Sequence, residues 1–268
     1  MTGFSFDFTG KSVFVMGGTS GINLGIAHGF ARAGAAVAVA SRKPEKVQAA
    51  VTELAAHGGA VEGYQCDVRD VAQVRAAFEG AAKALGPIDV LISGAAGNFP
   101  APALGISPNG FRSVVDIDLI GTFHVMREAH PHLRKPGAAI VNISAPQAFQ
   151  AMELQVHVCA AKAGVDMITR VLAQEWGPEG IRINSLVPGP IAGTEGMARL
   201  APTPEANAMV ERSVPLRRQG SPEDVARVAL FLASDAASYV SGVVLPVDGG
   251  WSAGGVPQLT QSWGHGQG

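Results

Sequence analysis

A chain of 268 residues that is 47% hydrophobic and 16% charged has material for one large core and lies far from a disordered composition. Its net charge of −2 leaves no basic excess to displace counterions, which argues against a nucleic-acid partner. No basic segment with an apolar core opens the chain, and the uncharged stretch 90–111 is broken by Pro100, Pro102 and Pro108. Neither a secretory signal nor a membrane span is expected, and the cytoplasm is the expected compartment.

Short apolar, β-branched runs alternate with helical patterns. Ser12–Met16 reads as a strand before a helix over 24–33, and 36–40 (AVAVA) as a strand before a helix over 45–56. Val61–Gln65, Val90–Ser93, Ala139–Ile143 and 183–187 continue the strands, and a long helix contains 160–176. Strands that are apolar throughout imply a parallel sheet buried on both faces. With right-handed crossovers the expected fold is α/β, a single-domain Rossmann-like doubly wound parallel sheet with helices on both faces and a ligand crevice at the strands' carboxyl ends. The domain is expected over 1–253, with a Gly- and Pro-rich substrate lid around 191–213 and a flexible tail over 254–268. Cys66 and Cys159 form no CxxC and read as buried free thiols. His130 and His132 have no companion ligands, so no metal site is expected.

The first strand runs into Gly17-Gly18-Thr19-Ser20-Gly21-Ile22-Asn23, and a helix follows. Glycines admit a pyrophosphate close to the backbone, and the helix N-terminus offers unpaired N–H donors. An ordinary tight connection is the plain alternative. Asn23 stands where a third glycine is usual, which narrows helix–strand packing. After the second strand, where an NAD site places a carboxylate, the chain carries Ser41-Arg42-Lys43. Arg42 could fork onto a 2′-phosphate with Lys43 adding charge, so NADPH is the expected cofactor; a solvated loop pair is the alternative. Asp67 and Val68 fall near the adenine, unless Asp67 caps the next helix.

With Gly94-Ala95-Ala96-Gly97, Val141-Asn142-Ile143-Ser144, the 184–190 segment NSLVPGP and Val247-Asp248-Gly249-Gly250 in the same order, the chain resembles a short-chain dehydrogenase/reductase over nearly its whole length. The resemblance implies a nicotinamide cofactor held by Gly17, Gly18, Thr19, Ser20, Gly21, Ile22, Arg42, Lys43, Asp67, Val68, Ala95, Lys162, Pro188, Gly189, Pro190, Ile191 and Thr194. That family's usual catalytic set is Ser, Tyr and Lys, with an Asn on a neighbouring helix. Here Lys162 is present, but the tyrosine position is Val158, the serine position Ala145 and the Asn position Asp118. The only tyrosines, Tyr64 and Tyr239, are not followed four residues later by lysine, which excludes carbonyl reduction through Tyr-x-x-x-Lys.

Where the common pattern fails, the chain resembles the peroxisomal-type 2,4-dienoyl-CoA reductase branch. The matching pieces are GAAGNF at 94–99, Asp116-Ile117-Asp118, Gln155-Val156-His157, EWGP at 175–178 and GPIAGTEG at 189–196. The resemblance implies an acyl-CoA thioester substrate from unsaturated fatty-acid breakdown, with hydride to C5 and a proton to C2 giving 3-enoyl-CoA. Charge arising in a conjugated thioester spreads through carbon into the thioester oxygen, so the proton is needed at carbon rather than on that oxygen. Asp118 is implied as the acid. A carboxylate beside an ammonium holds no spare proton at neutral pH, so ordering a water is the expected route. Lys162 would hold the nicotinamide ribose, and a structural Asp118–Lys162 pair is the alternative.

By the same resemblance Arg69 and Arg199 meet the phosphates or carbonyls of CoA, while Phe99 and the stretch from Ser107 to Asn109 line the acyl or pantetheine path. His157, turned about 100° from Val158 on a helix, need not enter the pocket. The long helix is apolar on much of its surface and is expected to pack against another subunit of a homotetramer. Two other functions stay open: a catalytically silent NADPH-binding scaffold or sensor, and a reductase of another activated alkene or carbonyl substrate.

Overall fold

Among the described residues seven strands form one sheet: Ser12–Met16 (β1), Ala36–Ser41 (β2), Val61–Gln65 (β3), Val90–Ser93 (β4), Ala139–Ile143 (β5), Arg182–Pro188 (β6) and Val244–Val247 (β7). Every pairing is parallel, in the order β3-β2-β1-β4-β5-β6-β7. The computed structural model describes residues 6–254, so the tail expected over 254–268 lies, beyond Gly254, outside the described residues. β7 was not expected, because Pro246 weakens its strand pattern; as an edge strand it tolerates a missing backbone donor.

The helices are Gly21–Arg32 (α1), Pro44–Ala55 (α2), Val71–Leu85 (α3), Pro108–Val115 (α4), Gly121–Ala129 (α5), Val156–Trp176 (α6), Glu195–Leu200 (α7), Pro204–Ser213 (α8) and Pro222–Ala233 (α9). Their starts follow local chemistry. Pro44, Pro108, Pro204 and Pro222 sit in first turns, where a missing N–H costs nothing, and Asp70 caps α3 by accepting from the Ala72 and Gln73 N–H groups.

Strand periodicity divides the core. Val13 and Val15 of β1 pack with α1, α2 and α9 on one face, while Phe14 and Met16 pack with α3, α5 and α6 on the other. All four are fully buried, and each side chain of this size contributes about 1.5–3 kcal/mol of hydrophobic stabilisation. α4 and α5 form one helical run joined by a widened, π-type turn, Asp116–Ile120. Gly121 lets that run lie against the end of β3, for a Cβ there would stand 2.6 Å from Val68 Cγ2. The approach sets Asp118 beside the carboxyl ends of the strands. Among the described residues no helix is long and apolar enough to cross a membrane.

Candidate active site

The strand order reverses between β1 and β4, and there the carboxyl ends of β1 to β4 open into a cleft of about 280 Å³. Its lining includes Gly17, Thr19, Ser20, Asn23, Arg42, Lys43, Lys46, Asp67, Val68, Ala95 and Glu195. Gly17 has φ +77°, and a Cβ on it would stand 3.0 Å from the Ala95 nitrogen, so a side chain is strained there on two counts. Gly18 is required for packing instead, since its Cβ would meet the Val15 carbonyl at 2.8 Å. Asn23 fills the place of the usual third glycine: its Nδ2 donates to the Gly94 carbonyl at 2.8 Å and ties the head of α1 to the end of β4. Its Oδ1 is buried without a partner among the described residues.

Arg42 and Lys43 make no ion pair among the described residues, whereas Lys46 reaches Glu195 at 3.3 Å. A glycine cradle at a helix start beside two cations outside any ion pair fits a phosphate-bearing dinucleotide. The glycine pattern marked Asn23 only as a departure, no motif pointed to Lys46, and Glu195 lay within GPIAGTEG without a role of its own. Lys46, three residues after Lys43 on the first turn of α2, was the one a helical spacing could have found.

On the other side of the β4 end, Lys162 and Asp118 meet. Lys162 Nζ donates to the Ile143 carbonyl at 3.0 Å and lies 3.5 Å from Asp118 Oδ2. Asp118 Oδ1 accepts from the Gly97 N–H at 2.7 Å, and the Thr122 hydroxyl donates to the Asp118 carbonyl at 2.6 Å. Both side chains are buried. Val158 is buried in the tyrosine slot and Ala145 half-buried in the serine slot, so neither position offers a hydroxyl. One turn beyond Lys162, burial pushes the Asp166 carboxyl above its ordinary range against the opposing pull of the Ser144 and Ser185 hydroxyls.

Other expected residues are placed as follows. Arg69 closes onto Asp67, with Nε–Oδ1 at 3.0 Å and Nη2–Oδ2 at 2.5 Å, and this pairing holds the Asp67 carboxyl below its ordinary range. Asp67 therefore caps nothing; Asp70 does. Arg199 is exposed on α7 and 3.4 Å from Glu195. The Ser107 hydroxyl accepts from the Gly110 N–H at 3.0 Å as the cap of α4, and Asn109 is exposed on the next turn. Pro188 ends β6, and a Cβ on Gly189 would meet Asp248 at 2.5 Å, so this glycine serves the approach of the chain after β7. Pro190 accepts from the Gly220 N–H, Ile191 is buried in the core, and Thr194 caps α7 through the Met197 N–H at 3.2 Å. Gly21 faces Thr194, with 3.7 Å between a Cβ there and Thr194 Cγ2, while Ile22 packs partly against the core.

Phe99 is 37% exposed and packs on His157 with ring centroids 4.6 Å apart. His157 is wholly buried, and among the described residues neither ring nitrogen has a hydrogen-bond partner. Both cysteines are free; burial pushes the Cys66 thiol up to about 12, and Cys159 is half-buried rather than buried. Among the described residues no group of three or more His, Cys, Asp or Glu is placed to hold a metal.

The family model described as enoyl-(acyl carrier protein) reductase matches residues 17–252. A rat protein named peroxisomal 2,4-dienoyl-CoA reductase, (3E)-enoyl-CoA-producing, is 46% identical over 242 residues, 90% of this chain and 83% of its own. A Bacillus subtilis protein named as a probable 2,4-dienoyl-CoA reductase, (2E)-enoyl-CoA-producing, is 41% identical over 243 residues, 90% of this chain and 96% of its own. Among solved structures, the NADP complex of RhlG from Pseudomonas aeruginosa is 28% identical with a TM-score of 0.86, over 92% of this chain and 98% of that one.

Proposed function

The chain belongs to the short-chain dehydrogenase/reductase family, and from that membership we propose that it reduces 2,4-dienoyl-CoA thioesters to (3E)-enoyl-CoA with NADPH. The observation that carries this reading is the buried Lys162–Asp118 pair beside slots that hold Val158 and Ala145. A site without either hydroxyl suits a reaction whose proton goes to carbon.

NADPH supplies a hydride to C5 of the diene when bound. Arg42 and Lys43 would take its 2′-phosphate, and Gly17 to Ser20 with the start of α1 its pyrophosphate. Lys162 would hold the nicotinamide ribose and keep positive charge near the anion that spreads over C2, C4 and the thioester oxygen. Both carboxylate oxygens of Asp118 face donors, so the carboxylate is an acceptor and would orient a water that gives a proton to C2, the hydroxide left behind being reprotonated from solvent. Protonation at C2 leaves the double bond at C3; protonation at C4 would leave it at C2, the outcome in the name of the Bacillus relative.

An acyl-CoA partner would draw on Phe99, Ser107 and Asn109 along the acyl or pantetheine path, and on Arg69 and Arg199 near the nucleotide. α7 and α8 would act as the lid. A homotetramer is supported by apolar residues exposed on α5 and α6, among them Phe123, Met167 and Val171. The cytoplasm is the proposed compartment, in keeping with two free thiols.

The test is oxidation of NADPH by the purified protein with 2,4-hexadienoyl-CoA, NADH in parallel, and the position of the product double bond read by NMR. Turnover to the 3-enoyl product with a preference for NADPH is expected. Tight NADPH binding with no turnover would move the protein to a silent cofactor-binding role.

A further inference from the structure

GAAGNF and Gln155-Val156-His157 are brought together by the fold, and the cofactor and acid sites absorb neither Asn98 nor Gln155. Gln155 Oε1 accepts from Asn98 Nδ2 at 3.2 Å and from Gln147 Nε2 at 2.9 Å. The amide nitrogens of Gln155 and Gln147 also both face the Met152 sulfur, at 3.2 and 3.4 Å. Reversing the Gln155 amide would turn three NH₂ groups on one another, so its neighbours fix its orientation. The cluster thus has a doubly engaged acceptor and more N–H groups than acceptors. What its spare donors meet is a thioether, a weak acceptor.

Its place is the catalytic face of α6. Gln155 stands at the residue before that helix begins, with its side chain free of any capping bond, three residues before Val158 and seven before Lys162, one and two turns along about the same side. Gln147 follows Ala145 by two residues. Asn98 follows Gly97, whose N–H holds Asp118. These amides therefore flank the two slots without hydroxyls and connect through one peptide to the acid.

We propose that Gln155 and Gln147 donate hydrogen bonds to the thioester carbonyl oxygen of the acyl substrate, as the oxyanion donors of this site. The inference rests on the dienoyl-CoA reading above. A carbonyl oxygen on which charge develops is a far better acceptor than the Met152 sulfur, so the substrate takes the donors over without breaking the Asn98–Gln155 bond that orients them. The carbonyl oxygen and C2 are separated by one carbon, which matches donors and acid reached from adjacent residues, Asn98 and Gly97.

The experiment compares wild type with Gln155→Leu, Gln147→Leu and Gln155→Glu, measuring kcat and KM with 2,4-hexadienoyl-CoA and NADPH, and NADPH affinity as the check on folding. For Gln155→Leu a fall in kcat of about 10²–10³-fold with NADPH affinity unchanged is expected, the size seen when one oxyanion donor is removed. Gln155→Glu keeps the shape but presents a carboxylate; it should be as slow as Leu near about pH 8 and recover toward about pH 5, when a protonated carboxyl can donate again. A packing role would not give that recovery. If Gln155→Leu does not fold, Gln147→Leu and Gln155→Glu carry the test. Wild-type turnover with kcat unchanged in the folded variants would overturn this proposal alone. A wild type inactive on the dienoyl-CoA would overturn the parent reading and this one with it.

Discussion

Lys162 Nζ and Asp118 Oδ2 stand 3.5 Å apart where solvent scarcely reaches, so deleting either side chain strands the other, whereas an isosteric amide at 118 keeps an acceptor for the ammonium. Asp118→Asn should keep the fold and NADPH binding and lose turnover by about 10²–10⁴-fold, the usual share of an acid–base group. Lys162→Ala leaves a buried carboxylate unpaired, at a cost of about 3–5 kcal/mol, and should lower Tm well below that of Asp118→Asn. Replacing the pair by Met and Leu should restore Tm without restoring activity. Calorimetry and NADPH-oxidation assays on the same preparations read both.

The two cations at the end of β2, outside any ion pair among the described residues, give the second prediction. Arg42→Leu should raise KM for NADPH about 10–100-fold, the equivalent of a lost charge-assisted hydrogen bond, and leave KM for NADH unchanged. Equal loss with both cofactors would place the Arg42 guanidinium elsewhere than on the 2′-phosphate.

The sheet and the cofactor turn were legible because their signals are local: apolar runs of strand length, and glycines followed by a helix. What stayed hidden is which of several possible partners a side chain takes, and contacts far apart in sequence. Arg69 looked free to meet a ligand, yet it lies two residues from a carboxylate it can fork onto, and the structure pairs them. Asn23 read as a departure from the glycine pattern; its use appears only when Gly94, 71 residues away, offers its carbonyl. Helix geometry turned His157 away from Val158, but whether that direction meets solvent or protein depended on Phe99 and Phe111, which no periodicity along α6 reveals.

The Arg69–Asp67 pair must open for Arg69 to reach a CoA phosphate. Arg69→Ala should therefore raise KM for 2,4-hexadienoyl-CoA by less than about tenfold, because the guanidinium exchanges one anion for another. The pantetheine thioester, which lacks the nucleotide, should react identically with both proteins in steady-state assays.

Asp224 gives a prediction in pH. Its carboxylate meets Arg218 in two hydrogen bonds and accepts the Ser221 N–H and hydroxyl in the capping box of α9, and these hold it far below the ordinary value of 3.8. A depressed carboxyl adds stability that is complete above its unfolded value and is lost as pH falls through the folded one. Asp224→Asn should cost about 1 kcal/mol at neutral pH, mostly as a weakened capping box because its neutral amide accepts less strongly and Arg218 is screened by solvent, and the gap from wild type should narrow only below the ordinary Asp range. Urea denaturation across pH measures it.

His157 carries two ring nitrogens with no partner among the described residues, at a position fully closed to solvent. A buried polar group left unpaired costs about 1–3 kcal/mol, and replacing it by an apolar group of similar shape removes that cost. Phe is the nearest shape: it keeps the aromatic contact with Phe99, whose ring lies 4.6 Å away, and that with Phe111 at 6.4 Å. The added volume works against it, since an overfilled core strains its neighbours by a comparable amount. Desolvation of two nitrogens outweighs one ring atom of extra bulk, so His157→Phe should raise Tm while kcat stays near wild type. An unchanged or lower Tm together with a raised KM for the acyl-CoA would show that the imidazole finds its partner in the substrate, and His157 would then join Gln155 among the groups that read the thioester.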